Sequence, residues 1–266
     1  MSSKEKDMTF LEHLEELRWH LIRSFAVVII IAIAAFVFHE IVFDKIILAP
    51  KNPDFLTNKL LCLLGQKVDI PKLCINTKSF QLISIKMAGQ FTMHITTSIF
   101  AGIIVGFPYI FWEFWRFIKP ALYDNETKHT RGAVSISSLL FLTGVLFGYY
   151  VIAPLSVHFL GSYNVSEQVI NQINLKSYIG TITSVTLAAG LTFELPILIY
   201  FLSKAGLVTP NFLKKYRRHS VIVILILAAT ITPPDIFSLI LVTFPLLILY
   251  EAGIIISKKI VKRINT

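Results

Sequence analysis

The sequence predicts an all-α polytopic membrane protein, with six transmembrane helices and both termini cytoplasmic. Three observations carry this. Hydrophobic residues make up 55% of the 266 residues and the mean hydropathy is +0.69, against roughly 45–50% apolar in ordinary soluble domains. These residues fall in long runs rather than at amphipathic spacing, and arginine is confined to alternate connections between the runs.

The first element starts ahead of the bilayer. Leu11, Leu14, Leu17 and Leu21 recur at helical spacing, so residues 9–20 read as a cytoplasmic helix that continues into the apolar run from Leu21 to Phe43. Glu12, Glu15 and Glu16 then sit beside the membrane, where an arginine-rich peptide could meet them. The first 20 residues hold five acids and no uninterrupted apolar core. No cleavable signal is read, and the first span is expected to stay in the mature protein.

Further spans are expected from Met87 to Phe114, Ala133 to Phe159, Tyr178 to Ser203, Ser220 to Ile231 and Ile236 to Ser257. The first four hold the ~20 apolar residues that a ~30 Å hydrocarbon core requires. The fifth offers about 12 residues before Pro233-Pro234, roughly 18 Å at 1.5 Å per residue. Pro245 and Glu251 interrupt the sixth. The last two helices are therefore expected to be short, accommodated by local thinning or by neighbouring helices. Four spans with a re-entrant hairpin is the competing count. The chain reads as one six-span domain, residues 1–266, with an outer loop at about 44–86.

Orientation follows from Lys and Arg placement. The side holding the termini takes 17 of the 25 basic residues and every arginine. Seven of the eight basic residues on the other side, all lysines, lie in the long outer loop.

Several function classes fall away. The net charge of +9 is spread over loops that flank apolar spans, with no basic-aromatic module, so nucleic-acid binding is not expected. There is no HExxH, GxSxG, Walker A, dinucleotide fingerprint or CxxC, so the chain is not read as an enzyme and no cofactor is implied. Cys62 and Cys74 lie in the outer loop without a nearby histidine, which argues against a metal site. In an oxidising outer compartment they form a disulfide; two unpaired thiols is the alternative. Gly102 and Gly106 form a small-xxx-small pair suited to close helix packing.

Glu194, within Phe193-Glu194-Leu195-Pro196, is polar where polarity is costly: a carboxylate in lipid costs at least ~2.5–3.5 kcal/mol on insertion scales. It is expected to face a bundle interior or a watery concavity. Pro196 denies a hydrogen bond to the carbonyl of Thr192 and bends the helix there. No Lys, Arg or His is read within a span as an ion partner, which argues against a buried charge pair.

Residues across the chain now carry a resemblance. His13-Leu14-Glu15-Glu16-Leu17-Arg18 resembles the HLxELR signature of TatC, the polytopic core family of the twin-arginine protein translocase. Pro108, Phe117-Ile118-Lys119-Pro120-Ala121-Leu122-Tyr123 and Glu126 resemble its first cytoplasmic loop. Phe193-Glu194-Leu195-Pro196 resembles its fourth span, Thr232-Pro233-Pro234-Asp235-Ile236-Phe237-Ser238 its last tight turn, and Ala49-Pro50 the start of its first outer loop. The match runs in order from about residue 9 to 257.

The resemblance implies a receptor in the bacterial cytoplasmic (inner) membrane. Its partners would be the twin-arginine signal peptides of folded cargo, single-span TatA/TatB-type subunits and the lipid bilayer. Self-association stays open. Transport would draw on the protonmotive force. By motif position Glu16 and Glu126 engage the two arginines, with Arg18, Phe117 and Pro108 as support. Glu194 and Thr232 would be intramembrane contacts for partner helices. The chain departs from the pattern at Trp19-His20, where family members often carry a second Arg or Lys, and at Leu239, where some carry Gln. The rival reading is a proton-coupled small-solute transporter using Glu194, which would call for internal repeats and more polar groups at midplane.

Overall fold

The leucine spacing at the N-terminus is realised as one continuous helix, α1 (Phe10–Val37), which carries the acid-rich segment straight into the apolar run. The structure, a computed structural model, describes residues 10–77, 80–118, 130–166, 168, 171–232 and 236–264. After α1 come a π-helical stretch, Glu40–Ile47, and a 3-10 turn, Ala49–Lys51. The region read as the outer loop holds a helix of its own, α2 (Leu56–Val68). Then α3 (Gly89–Ile118) returns towards the end that holds the termini. α4 (Thr130–Phe147) runs through a second π-helical stretch, Gly148–Ile152, into α5 (Ala153–Ser162) as one rod. α6 (Leu175–Thr192) and α7 (Leu195–Lys204) follow, then α8 (Pro210–Lys215), α9 (Arg217–Ile231) and α10 (Ile236–Ile264).

Among the described residues, five stretches are long and apolar enough to cross a membrane: Leu14–Val37, Gly89–Ile118, Gly132–Ser162, Leu175–Lys204 and Ser238–Lys262. α9 has 15 residues, about 22 Å of helix, short of the ~30 Å hydrocarbon core. The last helix corrects the sequence reading. α10 is not short: its 29 residues contain both Pro245 and Glu251. A proline removes one backbone hydrogen bond without ending a helix that is held by neighbours, and Glu251 pairs with Arg217 of α9. The fold is also not purely helical. Leu82–Ile83 (β1) pairs in parallel with Ile173–Asn174 (β2) at the end opposite the termini, where two connections run side by side and satisfy each other's backbone groups.

The break between α6 and α7 falls where Pro196 requires it. The helix ends at Thr192 and restarts at Leu195, with the Glu194 carbonyl accepting from the N–H groups of Ile197 and Leu198, both at 3.0 Å. Small residues set the closest helix approaches. A Cβ on Gly102 would stand 2.6 Å from the Val28 carbonyl oxygen and 3.2 Å from the Ala32 Cβ, so α3 rests its backbone on α1. Gly144 of α4 likewise meets the Ala189 carbonyl and the Phe193 Cβ, each at 2.7 Å.

One apolar cluster, including Ile152, Val185, Ile224, Val242, Leu246 and Ile254, joins the π-helical turn to α6, α9 and α10. A second, with Ile47, Met93, Val157, Tyr178, Ile179 and Ile182, closes the end away from the termini. That end is also tied by polar groups. Asn76 donates from Nδ2 to the Pro154 carbonyl at 3.1 Å and to Asn58 Oδ1 at 3.3 Å, and the Tyr178 hydroxyl donates to the Ile47 carbonyl at 3.0 Å. Cys62 of α2 and Cys74 are joined in a disulfide with their Cα atoms 4.0 Å apart.

Candidate functional site

The α1–α3 interface carries a polar stripe at the end nearest the N-terminus. On α1, Glu16, His20 and Arg23 recur at i, i+4 and i+7 on one face; on α3, Tyr109, Glu113 and Phe117 recur at i, i+4 and i+8. Gly102 and Gly106 continue the α3 stripe deeper, and both face α1. The close glycine packing thus draws the two polar stripes together.

Glu113 is the hub. It is 1% exposed, and its Oε2 is held by His20 Nδ1. The Tyr109 hydroxyl donates to Oε1 at 2.9 Å, and Arg23 Nε lies 3.4 Å from the same oxygen. An ionised carboxylate only accepts, so His20 donates from Nδ1. Arg23 Nη2, 3.3 Å from that nitrogen, then acts through its positive charge on Glu113. Phe117 completes the group, its ring edge-on to His20 at a centroid separation of 6.0 Å.

Glu16 sits one turn beyond His20, half-buried. Its Oε2 is shielded from solvent and has no hydrogen-bond partner among the described residues. Arg18 is exposed, and Pro108 is half-buried within α3. The structure thus brings Glu16 and Phe117 to the same end of one interface. Glu126 lies outside the described residues.

The intramembrane residues form separate places. Glu194 occupies the α6–α7 break, half-buried, with Oε2 accepting from Ser137 Oγ at 2.8 Å. Its Oε1 is buried without a hydrogen-bond partner among the described residues. Thr232 is buried, and its hydroxyl donates to the Ala228 carbonyl at 2.9 Å. It borders a 720 Å³ groove lined by Ser177, Thr181, Ser184 and Val185. Roughly 13 Å of helical rise separates Val185 from Glu194, so the two expected partner contacts do not share one site.

Sequence reasoning missed Glu113, although the signal was present. Glu113 stands inside Phe111-Trp112-Glu113-Phe114-Trp115, the same kind of interruption that singled out Glu194. Unlike Glu194, which is hydrogen-bonded to Ser137, Glu113 has ion partners in His20 and Arg23. The reason is geometric: the partners come from a different helix, 93 residues away in the case of His20.

A family model described as Sec-independent protein translocase protein (TatC) matches residues 12–245. This chain belongs to the TatC family.

It is 41% identical over 99% of its length to the Sec-independent protein translocase protein TatC of Blattabacterium sp. subsp. Periplaneta americana, all of which is covered. It is 32% identical to TatCy of Bacillus subtilis, covering 96% of this chain and 91% of that protein. Two solved structures, both described as the twin arginine translocase receptor TatC, superpose with TM-scores of 0.67 and 0.70. Identities are 30% and 31%; coverage is 94% and 92% of this chain and 100% and 99% of theirs. Within this TatC-family chain, the departure at Trp19-His20 gains a physical content: His20 is committed to Glu113 inside the interface rather than offered to solvent.

Proposed function

We propose that this TatC-family chain is the signal-peptide receptor and core subunit of a twin-arginine translocase, working in the bacterial inner membrane. Its single domain has six spans, with α9 as the short one, and both termini face the cytoplasm. Folded cargo is recognised by the arginine pair of its signal peptide, held jointly by Glu16 and Glu126. Single-span TatA/TatB-type subunits then assemble around it, with Glu194 as a polar contact for their helices, and the protonmotive force drives transport.

The observation that supports this reading is the contrast between two acids on neighbouring helices. Glu113 is already engaged by His20, Arg23 and Tyr109, whereas Glu16 keeps a shielded acceptor oxygen without a partner among the described residues. A guanidinium binds best to a carboxylate in such a partly desolvated place, where bidentate hydrogen bonding is strong and water competes poorly. The Phe117 ring supplies an adjacent face on which a guanidinium or its stem can lie. Arg18, exposed one half-turn away, is a supporting residue of the same surface.

A photoreactive amino acid placed next to the arginine pair of a signal peptide tests the location. It is expected to crosslink to α1 around Glu16 and to residues 119–129. Crosslinks confined to α2 or to the groove beside Thr232 would reject the site.

A further inference from the structure

The outer-loop helix α2 has an apolar face that none of the described residues covers. Leu56, Leu60, Leu63, Leu64 and Val68 recur at i, i+4, i+7, i+8 and i+12, and all are exposed, Leu60 by 52% and Leu63 by 53%. The opposite face is occupied. Asn58 is buried against the Pro50 and Asn52 carbonyls, and a Cβ on Gly65 would meet the Ile70 carbonyl at 2.8 Å and Leu73 Cβ at 2.9 Å. The Cys62–Cys74 disulfide fixes that inner side. The helix therefore cannot roll its leucines inward.

Its level relative to the spans is also fixed. Phe55, just ahead of α2, packs its ring on Tyr149 and Tyr150, and the Thr57 hydroxyl donates to the Tyr150 carbonyl. Both tyrosines lie in the distal half of the apolar stretch Gly132–Ser162, which is long enough to cross a membrane. The first turn of α2 thus packs against a membrane-crossing stretch, on its side away from the termini. Nearby, exposed Ile41 and Ile46 extend the lipid-facing surface of the first span towards it. Lys59 flanks the leucine stripe and Lys67 stands within it near the C-terminal end of the helix, both exposed, with Asp54 and Asp69 beyond the two ends of the helix. Lysines beside an apolar face lay their methylene stems along it and lift their ammonium groups to the headgroups.

We propose that α2 is an interfacial membrane anchor whose leucine face is seated in the lipid of the leaflet distal to the termini. The apolar stripe runs from the first turn to the last of the 13-residue helix, broken on that face by Lys67 near its end, which suits a helix lying in the membrane plane rather than one rising into water. Pinned by its disulfide, α2 would clamp the distal end of the bundle to a constant depth.

The test uses the full chain reconstituted in vesicles of phosphatidylethanolamine and phosphatidylglycerol, with bromine on the acyl chains. An environment-sensitive fluorescent amino acid replaces Leu60 in one protein and Gln66, on the polar edge, in another. Nonreducing gel mobility verifies that both retain the Cys62–Cys74 bond. Quenching by lipid bromine is expected to be about threefold stronger at position 60 than at 66, and independent of protein density in the bilayer, as for a helix lying in the interface. Aqueous iodide should quench position 66 in preference to 60. Equal iodide quenching at both positions would place the leucine face in water and overturn the anchor. Shielding from lipid bromine that grows with protein density would show a second copy covering the face, which also overturns it.

Discussion

Glu113 and Glu16 are both acids at the head of the α1–α3 interface, yet their surroundings give them opposite tasks. Removing one member of a buried, hydrogen-bonded ion group typically costs 3–5 kcal/mol, because the partner charge is left stranded. Arg23 reaches solvent from its partly exposed position, so Glu113→Ala is expected to destabilise the protein by about 3 kcal/mol, the low end of that range. Glu113→Gln keeps an acceptor for Tyr109 and should lose less. Thermal unfolding in detergent separates the two; equal midpoints for Ala and wild type would mean the cluster holds nothing together. Glu194 is different, since its hydrogen bond comes from Ser137 rather than from a cation. Glu194→Ala is expected to spare signal-peptide binding and to weaken assembly with single-span subunits, with Gln the milder change. Copurification of those subunits is the readout. Equal damage from Gln and Ala would shift the explanation from hydrogen bonding to ionisation.

At the scale of helices, close approach decides the site. The backbone of α3 reaches α1 because Gly102 leaves room beside the Val28 carbonyl, 2.6 Å from where a Cβ would stand. Gly102→Val should push the helices apart and uncouple His20 from Glu113, lowering the unfolding midpoint and signal-peptide affinity together. Retention of both would show that the glycine is incidental. The disulfide closes a short loop around α2, and reducing it should remove on the order of 3 kcal/mol from that segment in the chain-entropy model. Hydrogen exchange over residues 56–77 would register this as faster exchange; unchanged protection would mean the asparagine contacts alone hold the segment. These elements were unevenly legible in sequence. The spans, the Pro196 break and the Gly102–Gly106 packing follow from local patterns of apolar run, proline and small residue. α2 was hidden in a loop because its leucines face outward, and α10 was expected to be short because Pro245 and Glu251 interrupt it, whereas a residue's effect on a helix depends on the neighbour that receives it. Glu251 finds Arg217 on α9, a contact between residues 34 apart that no local window contains.

For the whole molecule, the site lies where the charges of the termini side gather, and the opposite end is a tied cap. Lys215 is expected to be cytoplasmic and Lys176 to face outside; a cysteine placed at 215 should resist an impermeant reagent added to intact cells, and labelling there would contradict the six-span arrangement. The motif signatures propose Glu16, Phe117 and Pro108 as binding residues, because such motifs encode the surface a ligand meets. They were silent on Glu113, His20 and Arg23, because the cluster that positions a binding residue is assembled by packing between helices distant in sequence. The central claim is that Glu16 and Glu126 distinguish arginine from lysine, and affinity is its most direct measure. The full chain in lipid nanodiscs would be titrated with a signal peptide bearing Arg-Arg and with one bearing Lys-Lys. Wild type is expected to favour Arg-Arg by about tenfold or more, since a guanidinium forks onto carboxylates where an ammonium is a point charge. Glu16→Ala and Glu126→Ala should each erase most of that preference while folding stays intact, and full retention of the preference in both variants would contradict the claim.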